Sequence, residues 1–149
     1  MLKLKSILHP TDFSAPAEAA LQMASSLARD HGAKLVIMHV VTPPALYTGE
    51  AMAVPLPPVD LKPLGERLDK IGPTDGSIPV ERRLCEGDTV AEILAVAKEM
   101  ACDVIVMGTH GRTGLGRFLM GSVAEEVVRR APCAVITIKS PLADSPASS

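Results

Sequence analysis

Apolar residues along this chain change their spacing in a regular alternation. Leu4 to His9 forms a short run that reads as a strand. Ala17, Ala20, Leu21, Ala24, Leu27 and Ala28 then recur at helical spacing. Ser14 can cap that helix, Pro16 suits its first turn, and Gly32 can end it. Lys34 to Val41 is nearly continuous in apolar residues, as expected of a strand covered on both faces. A proline-rich excursion with Pro43, Pro44, Pro55, Pro57, Pro58 and Pro63 follows, longer than an ordinary connection. Leu61, Leu64, Leu68 and Ile71 mark a short helix. Val80 to Cys85 is a third strand, polar enough to lie near a sheet edge.

Gly87-Asp88 opens the next helix, with Thr89 and Glu92 at capping-box spacing and Val90, Ile93, Leu94 and Ala97 on its inner stripe. Asp103 to Met107 and Ala134 to Ile138 are the fourth and fifth strands, with the helical pattern Val123 to Arg130 between them. Strands alternating with helices predict an α/β doubly wound parallel sheet of five strands, with helices on both faces. Ligands of such sheets bind at the carboxyl ends of the strands, where strand order reverses.

The segment between the fourth strand and the last helix carries the chemistry. Gly108, Gly111, Gly114, Gly116 and Gly121 fall within it, and Ser122 follows. A strand, a glycine-rich loop and a helix start make an anion site. Glycines let backbone amides approach a phosphate, and the helix N-terminus adds partial positive charge. Candidate phosphate ligands are Gly108, Thr109, His110, Gly111, Arg112, Gly121, Ser122 and Val123, the last through its backbone. Arg112 and Arg117 can pair with phosphate oxygens or stay solvated. Ser122-x-x-Glu125 also reads as a capping box, which needs no ligand.

The spacing Gly108-x2-Gly111-x9-Gly121-Ser122, with Ile7-Leu-His-Pro-Thr-Asp-Phe-Ser14 upstream, resembles the ATP-binding branch of the universal stress protein family. The resemblance covers roughly residues 1–140. It implies the strand order 3-2-1-4-5, which puts the reversal between the first and fourth strands and brings both motifs to one crevice. Further implications are ATP or another adenine nucleotide with Mg²⁺ or Mn²⁺, and phosphates held by Gly121, Ser122 and the backbone beyond. The nucleoside would sit against Pro10, Thr11, Asp12 and Val40. A homodimer would form through the last strand, Ala134 to Ile138. The expected role is a nucleotide-dependent stress-response or signalling module; a slow ATP hydrolase, a phosphotransferase or a nucleotide-free interaction module are the alternatives.

The residues themselves weigh on these implications. A carboxylate at Asp12 repels phosphate, so it fits a ribose hydroxyl, an adenine amino group or a hydrated cation. The simpler alternative is a turn carboxylate bonded to its own backbone. Val40 can also be plain core. His9 and His39 could pair on a metal, but no third ligand has zinc-like spacing. Walker, dinucleotide and nucleophile-elbow motifs are missing, and no residue is marked as a general base.

Composition narrows the partners. The 149 residues are 47% hydrophobic, enough for one core, expected to occupy residues 1–140 with a Ser-, Pro- and Ala-rich tail at 141–149. Net charge is −2, and Trp is absent beside two Phe and one Tyr, which disfavours nucleic acid. No apolar run suggests a membrane span or a signal peptide. Cys85, Cys102 and Cys133 are scattered and expected to be reduced small hydrophobes, in keeping with a cytoplasmic protein.

Overall fold

The computed structural model describes residues 2–43, 57–109 and 121–139. The element order is β1 (Ser6–Pro10), α1 (Ala15–His31), β2 (Lys34–Val41), α2 (Lys62–Asp69), β3 (Val80–Glu86), α3 (Thr89–Glu99), β4 (Val104–Gly108), α4 (Ser122–Arg130) and β5 (Ala134–Ile138). The five strands form one parallel sheet in the order β3-β2-β1-β4-β5.

Alternation along the strands divides the core in two. Ile7, Leu35, Ile37, Val104 and Val106 face Ala20, Ala24 and Ala28 of α1 and Leu68 of α2. Leu8, Val36, Met38, Ile105 and Met107 face Ile93, Val96 and Ala97 of α3 and Ala124 and Val127 of α4. The helices therefore cover both faces, as the sequence predicts. The alanines of α1 carry no bulk on the sheet side, so that helix can lie close to the sheet. Its ends are as expected: Ser14 accepts a hydrogen bond from Ala17 N–H, and Gly32 closes the helix at φ 64°. The cap of α3 differs from the expected box. Asp88, one residue earlier than Thr89, accepts from Ala91 N–H, and the Thr89 hydroxyl instead meets that of Thr42 at 3.1 Å. The carboxylate is the stronger acceptor and already sits in the extended conformation a cap requires.

Charge keeps the outer strand β3 solvated. Glu81 bridges Lys34 at 2.8 Å and Arg83 at 2.9 Å. All three cysteines are free; Cys102 is buried and the other two are half-buried. Burial pushes all three thiols up, which keeps them protonated.

The central strand β1 is paired unequally on its two sides. Against β2 it runs in register from Ser6 opposite Lys34 to Pro10 opposite Met38. Against β4 it ends at Leu8 opposite Ile105. Pro10 is the cause. Thr11 N–H donates to Met38 O, so odd residues of β1 bond toward β2 and even ones toward β4. The rung after Leu8 would run from the amide of residue 10 to Val106 O, and proline has no N–H. The His9 side chain takes that place, with Nδ1–H donating to Val106 O at 2.9 Å. β1 and β4 part at their carboxyl ends without leaving that carbonyl bare.

This substitution fixes the protonation of His9. A carbonyl only accepts, so the hydrogen is on Nδ1. Nε2 is buried with no hydrogen-bond partner. Burial is the main cause that lowers the pKa from 6.5 to about 4, opposed by the bond to Val106 and the Asp12 charge. The unfolded chain binds the proton more readily. Stability due to the neutral ring is therefore complete above pH 6.5 and is lost as pH falls from there toward 4. Urea denaturation should show a loss of about 3 kcal/mol across that interval. His9→Gln should remove most of this slope. Equal stability at both ends of the interval in the unmodified chain would contradict it.

Candidate functional site

The site is built where β1 and β4 part. On the β1 side the chain leaves the sheet through Thr11, Asp12, Phe13 and Ser14. The Thr11 hydroxyl accepts from Phe13 N–H at 3.0 Å, and Asp12 Oδ1 accepts from Ser14 N–H at 3.0 Å. One oxygen of the Asp12 carboxylate is thus committed to its own turn, as the simpler sequence reading allows. Pro10 and Thr11 are buried and Asp12 is half-buried.

On the β4 side, Gly108 passes directly against the first turn of α1. A Cβ on Gly108 would lie 2.9 Å from Pro16 Cβ and 3.0 Å from the Pro16 carbonyl carbon. Packing between the two motifs therefore requires glycine here, independently of any ligand. Thr109 follows, buried, with both backbone groups in use. Its N–H donates to Ile138 O at 3.0 Å, and its carbonyl accepts from Gly121 N–H at 2.6 Å. These bonds tie the end of β4 to β5 and to the start of α4. They close the base of the intervening segment.

That closure reorders the candidate donors. The amides of Thr109 and Gly121 already bond within the fold, so neither is an open phosphate donor. Gly121 is the N-cap of α4, at φ −61° and ψ 157°, with no side-chain cap. The capping box expected of Ser122 and Glu125 does not form. Ser122 stands one position inside the helix, and Glu125 pairs with Arg129 at 3.1 Å. The first intrahelical bond runs from Glu125 N–H to Gly121 O. The amides of Ser122, Val123 and Ala124 precede it, and they are the donors this helix start presents. Ser122 is exposed and Val123 is half-buried. His110, Gly111 and Arg112 lie outside the described residues, as do Gly114, Gly116 and Arg117.

On the β2 side, Val40 pairs with Cys85 of β3, and its side chain packs against the core shared with α3 and α4. Leu35 N–H and Val41 O bond toward β3, whereas Met38 O bonds toward β1. By alternation the Val40 backbone also faces the β1 side, beyond the last rung, at the crevice. The Val41 carbonyl accepts from Gly87 N–H at 3.0 Å and is turned away.

His39 was as open to sequence reading as His9, and it takes a similar part. Its Nδ1–H donates to Thr11 O at 2.7 Å. Two imidazoles thus secure neighbouring strand ends: His39 joins β2 to the exit of β1, and His9 joins β1 to β4. Each ring is engaged with a carbonyl through Nδ1, and no group of three or more metal-ligating side chains gathers among the described residues. Phe13 was not singled out by the sequence pattern. It packs on the His39 ring with centroids 4.6 Å apart.

With this geometry in hand, similarity to known proteins is specific. The model of the universal stress protein family matches residues 3–139. Universal stress protein MJ0531 of Methanocaldococcus jannaschii is 34% identical over 143 residues, covering 92% of this chain and 83% of its own. Among solved structures, the universal stress protein UspA from Lactobacillus plantarum superposes with a TM-score of 0.70 at 28% identity, covering 93% of this chain and 99% of its own. A universal stress protein in complex with cAMP gives a TM-score of 0.61 at 26% identity, covering 92% of this chain and 98% of its own. A parallel sheet ordered β3-β2-β1-β4-β5 and a family match along nearly the whole chain agree, and this protein belongs to the universal stress protein family.

Proposed function

We propose that this chain binds an adenine nucleotide, ATP first among them, at the carboxyl ends of β1 and β4. It acts as a nucleotide-dependent stress-response or signalling module of the cytoplasm, and not as a fast enzyme. The observation that carries the reading is the first turn of α4. Gly121 gives the helix an entry without a side-chain cap, and the three successive amides of Ser122, Val123 and Ala124 precede its first intrahelical bond. Phosphate oxygens are the acceptors such a helix start favours.

In this reading the amides of Ser122, Val123 and Ala124 and the Ser122 hydroxyl hold phosphate. Gly108, Thr109 and Gly121 shape the site, and His110, Gly111 and Arg112 complete it. Mg²⁺ or Mn²⁺ accompanies the phosphates and offsets their charge. Pro10, Thr11, Asp12 and the Val40 backbone receive the nucleoside. The cAMP complex of a relative supports an adenine ligand in this fold. Residues 1–140 act as one nucleotide-binding domain and 141–149 as its tail. The role asks for no nucleic-acid partner, in keeping with the net charge of −2. No helix among the described residues is long and apolar enough to cross a membrane.

A second copy of the chain is the other proposed partner. β5 ends the sheet, and Ala134 to Ile138 presents a strand edge with half-buried apolar side chains. Ile138 O bonds inward to Thr109 N–H, so Thr137 directs its backbone outward by alternation.

Two experiments test the nucleotide site and the dimer. Calorimetric titration with ATP and Mg²⁺ should show binding, and Ser122→Pro should weaken it roughly tenfold or more. Gly121 already has the extended backbone that precedes proline, so the helix start tolerates the change. An unmodified chain that does not bind ATP, or a proline variant that binds as tightly, would overturn the reading. Sedimentation velocity should find a dimer that Thr137→Pro converts to monomer, because proline removes an outward donor. A monomeric unmodified chain would refute the partner.

A further inference from the structure

The turn that carries Asp12 is held in an uncommon conformation. Phe13, next in the chain, has φ 64°, in the left-handed region that favours glycine. A bulky residue stays there only where its surroundings hold it. Two groups do so from opposite elements. The His39 ring of β2 packs on Phe13 at 4.6 Å between centroids, tilted by 48°. The Arg67 guanidinium of α2 lies over the Phe13 ring, 4.3 Å from its centroid. His39 also donates to Thr11 O at 2.7 Å, so one imidazole grips the turn by its backbone and by its aromatic ring. Phe13 N–H bonds back to the Thr11 hydroxyl, and Ser14 N–H to Asp12. Asp12 is therefore bracketed by two residues whose positions are set from β2 and α2.

We infer that Arg67, Phe13 and His39 form a clamp that aims the Asp12 carboxylate at the nucleoside, with Arg67 and His39 as positioning residues for nucleotide recognition. The inference rests on the proposed nucleotide site and names residues outside it. Arg67 is exposed, on a short helix far in sequence from the glycine motif, and its guanidinium lies on the ring at a range where the cation–π attraction acts. Without it, one face of Phe13 loses its cover, and the left-handed turn loses part of what holds it. The Asp12 carboxylate then samples orientations that do not meet the ligand. The phosphate end of the site has no part in the clamp, since it is held by the backbone of Thr109 and Gly121.

A double-mutant cycle on ATP affinity separates this role from a merely structural one. The four proteins are the unmodified chain, Arg67→Ala, Asp12→Asn and the double variant. Asp12→Asn keeps a side-chain acceptor for Ser14 N–H and removes the charge. Arg67→Ala should weaken ATP roughly fivefold in the unmodified background, the scale of one exposed cation–π contact. It should cause little further loss when Asp12 is already Asn, because both changes remove one function. Arg67→Lys, which keeps a cation over the ring, should recover most of the loss. Losses that multiply in the double variant would show Arg67 acting independently of Asp12 and overturn the clamp. An Arg67→Ala protein with unchanged affinity would do the same. Failure of the unmodified chain to bind ATP would remove the nucleotide site itself, and the clamp with it; binding with multiplicative losses would remove the clamp alone.

Discussion

A proline at the end of a central strand governs the shape of this molecule. A parallel sheet offers each interior strand two ladders, and Pro10 ends one of them by lacking an amide. The position of that defect matters. It falls on the β4 side, where strand order reverses, and the crevice of a doubly wound sheet lies there. An unsatisfied Val106 carbonyl inside the protein would be costly, so the parting of the strands depends on the His9 imidazole that replaces the missing donor. His39 repeats the device one strand over, on the carbonyl of Thr11. The opening is thus an ordered interruption of the sheet, with the Val106 and Thr11 carbonyls accepting from imidazole N–H groups.

The opposite wall is made of backbone. Thr109 spends its amide on β5 and its carbonyl on Gly121, which draws together both ends of the segment carrying the glycine motif. Two of the conspicuous glycines therefore serve structure in the first instance. Gly108 clears the first turn of α1, and Gly121 starts α4. The amides that a phosphate would meet belong to the residues just after Gly121.

Much of this was legible in the sequence. The alternation of strand and helix patterns, the Ser14 cap, Pro16 and the αL Gly32 give the fold because each reports a local preference that the tertiary structure keeps. Strand order is a long-range property, and it followed from the family resemblance. The failures are local competitions between acceptors of similar reach. Asp88 outbids Thr89 by charge, and Glu125 turns to Arg129 because Gly121 fills the capping position in front of Ser122. His9 and His39 were visible as residues but not as backbone substitutes. That role depends on which carbonyl a missing rung exposes, and spacing along one strand does not contain it. Phe13 and Arg67 are far apart in sequence and meet only after β2 and α2 are in place.

In the proposed function a nucleotide sits between the turn after β1 and the start of α4. Amide chemical shifts of the ¹⁵N-labelled protein, followed as ATP and Mg²⁺ are added, test that placement residue by residue. The predicted result is that the largest changes fall on Thr11, Asp12, Val40 and Ser122 to Ala124. Changes confined to the groove between α1 and α2, or to none of these amides, would contradict it.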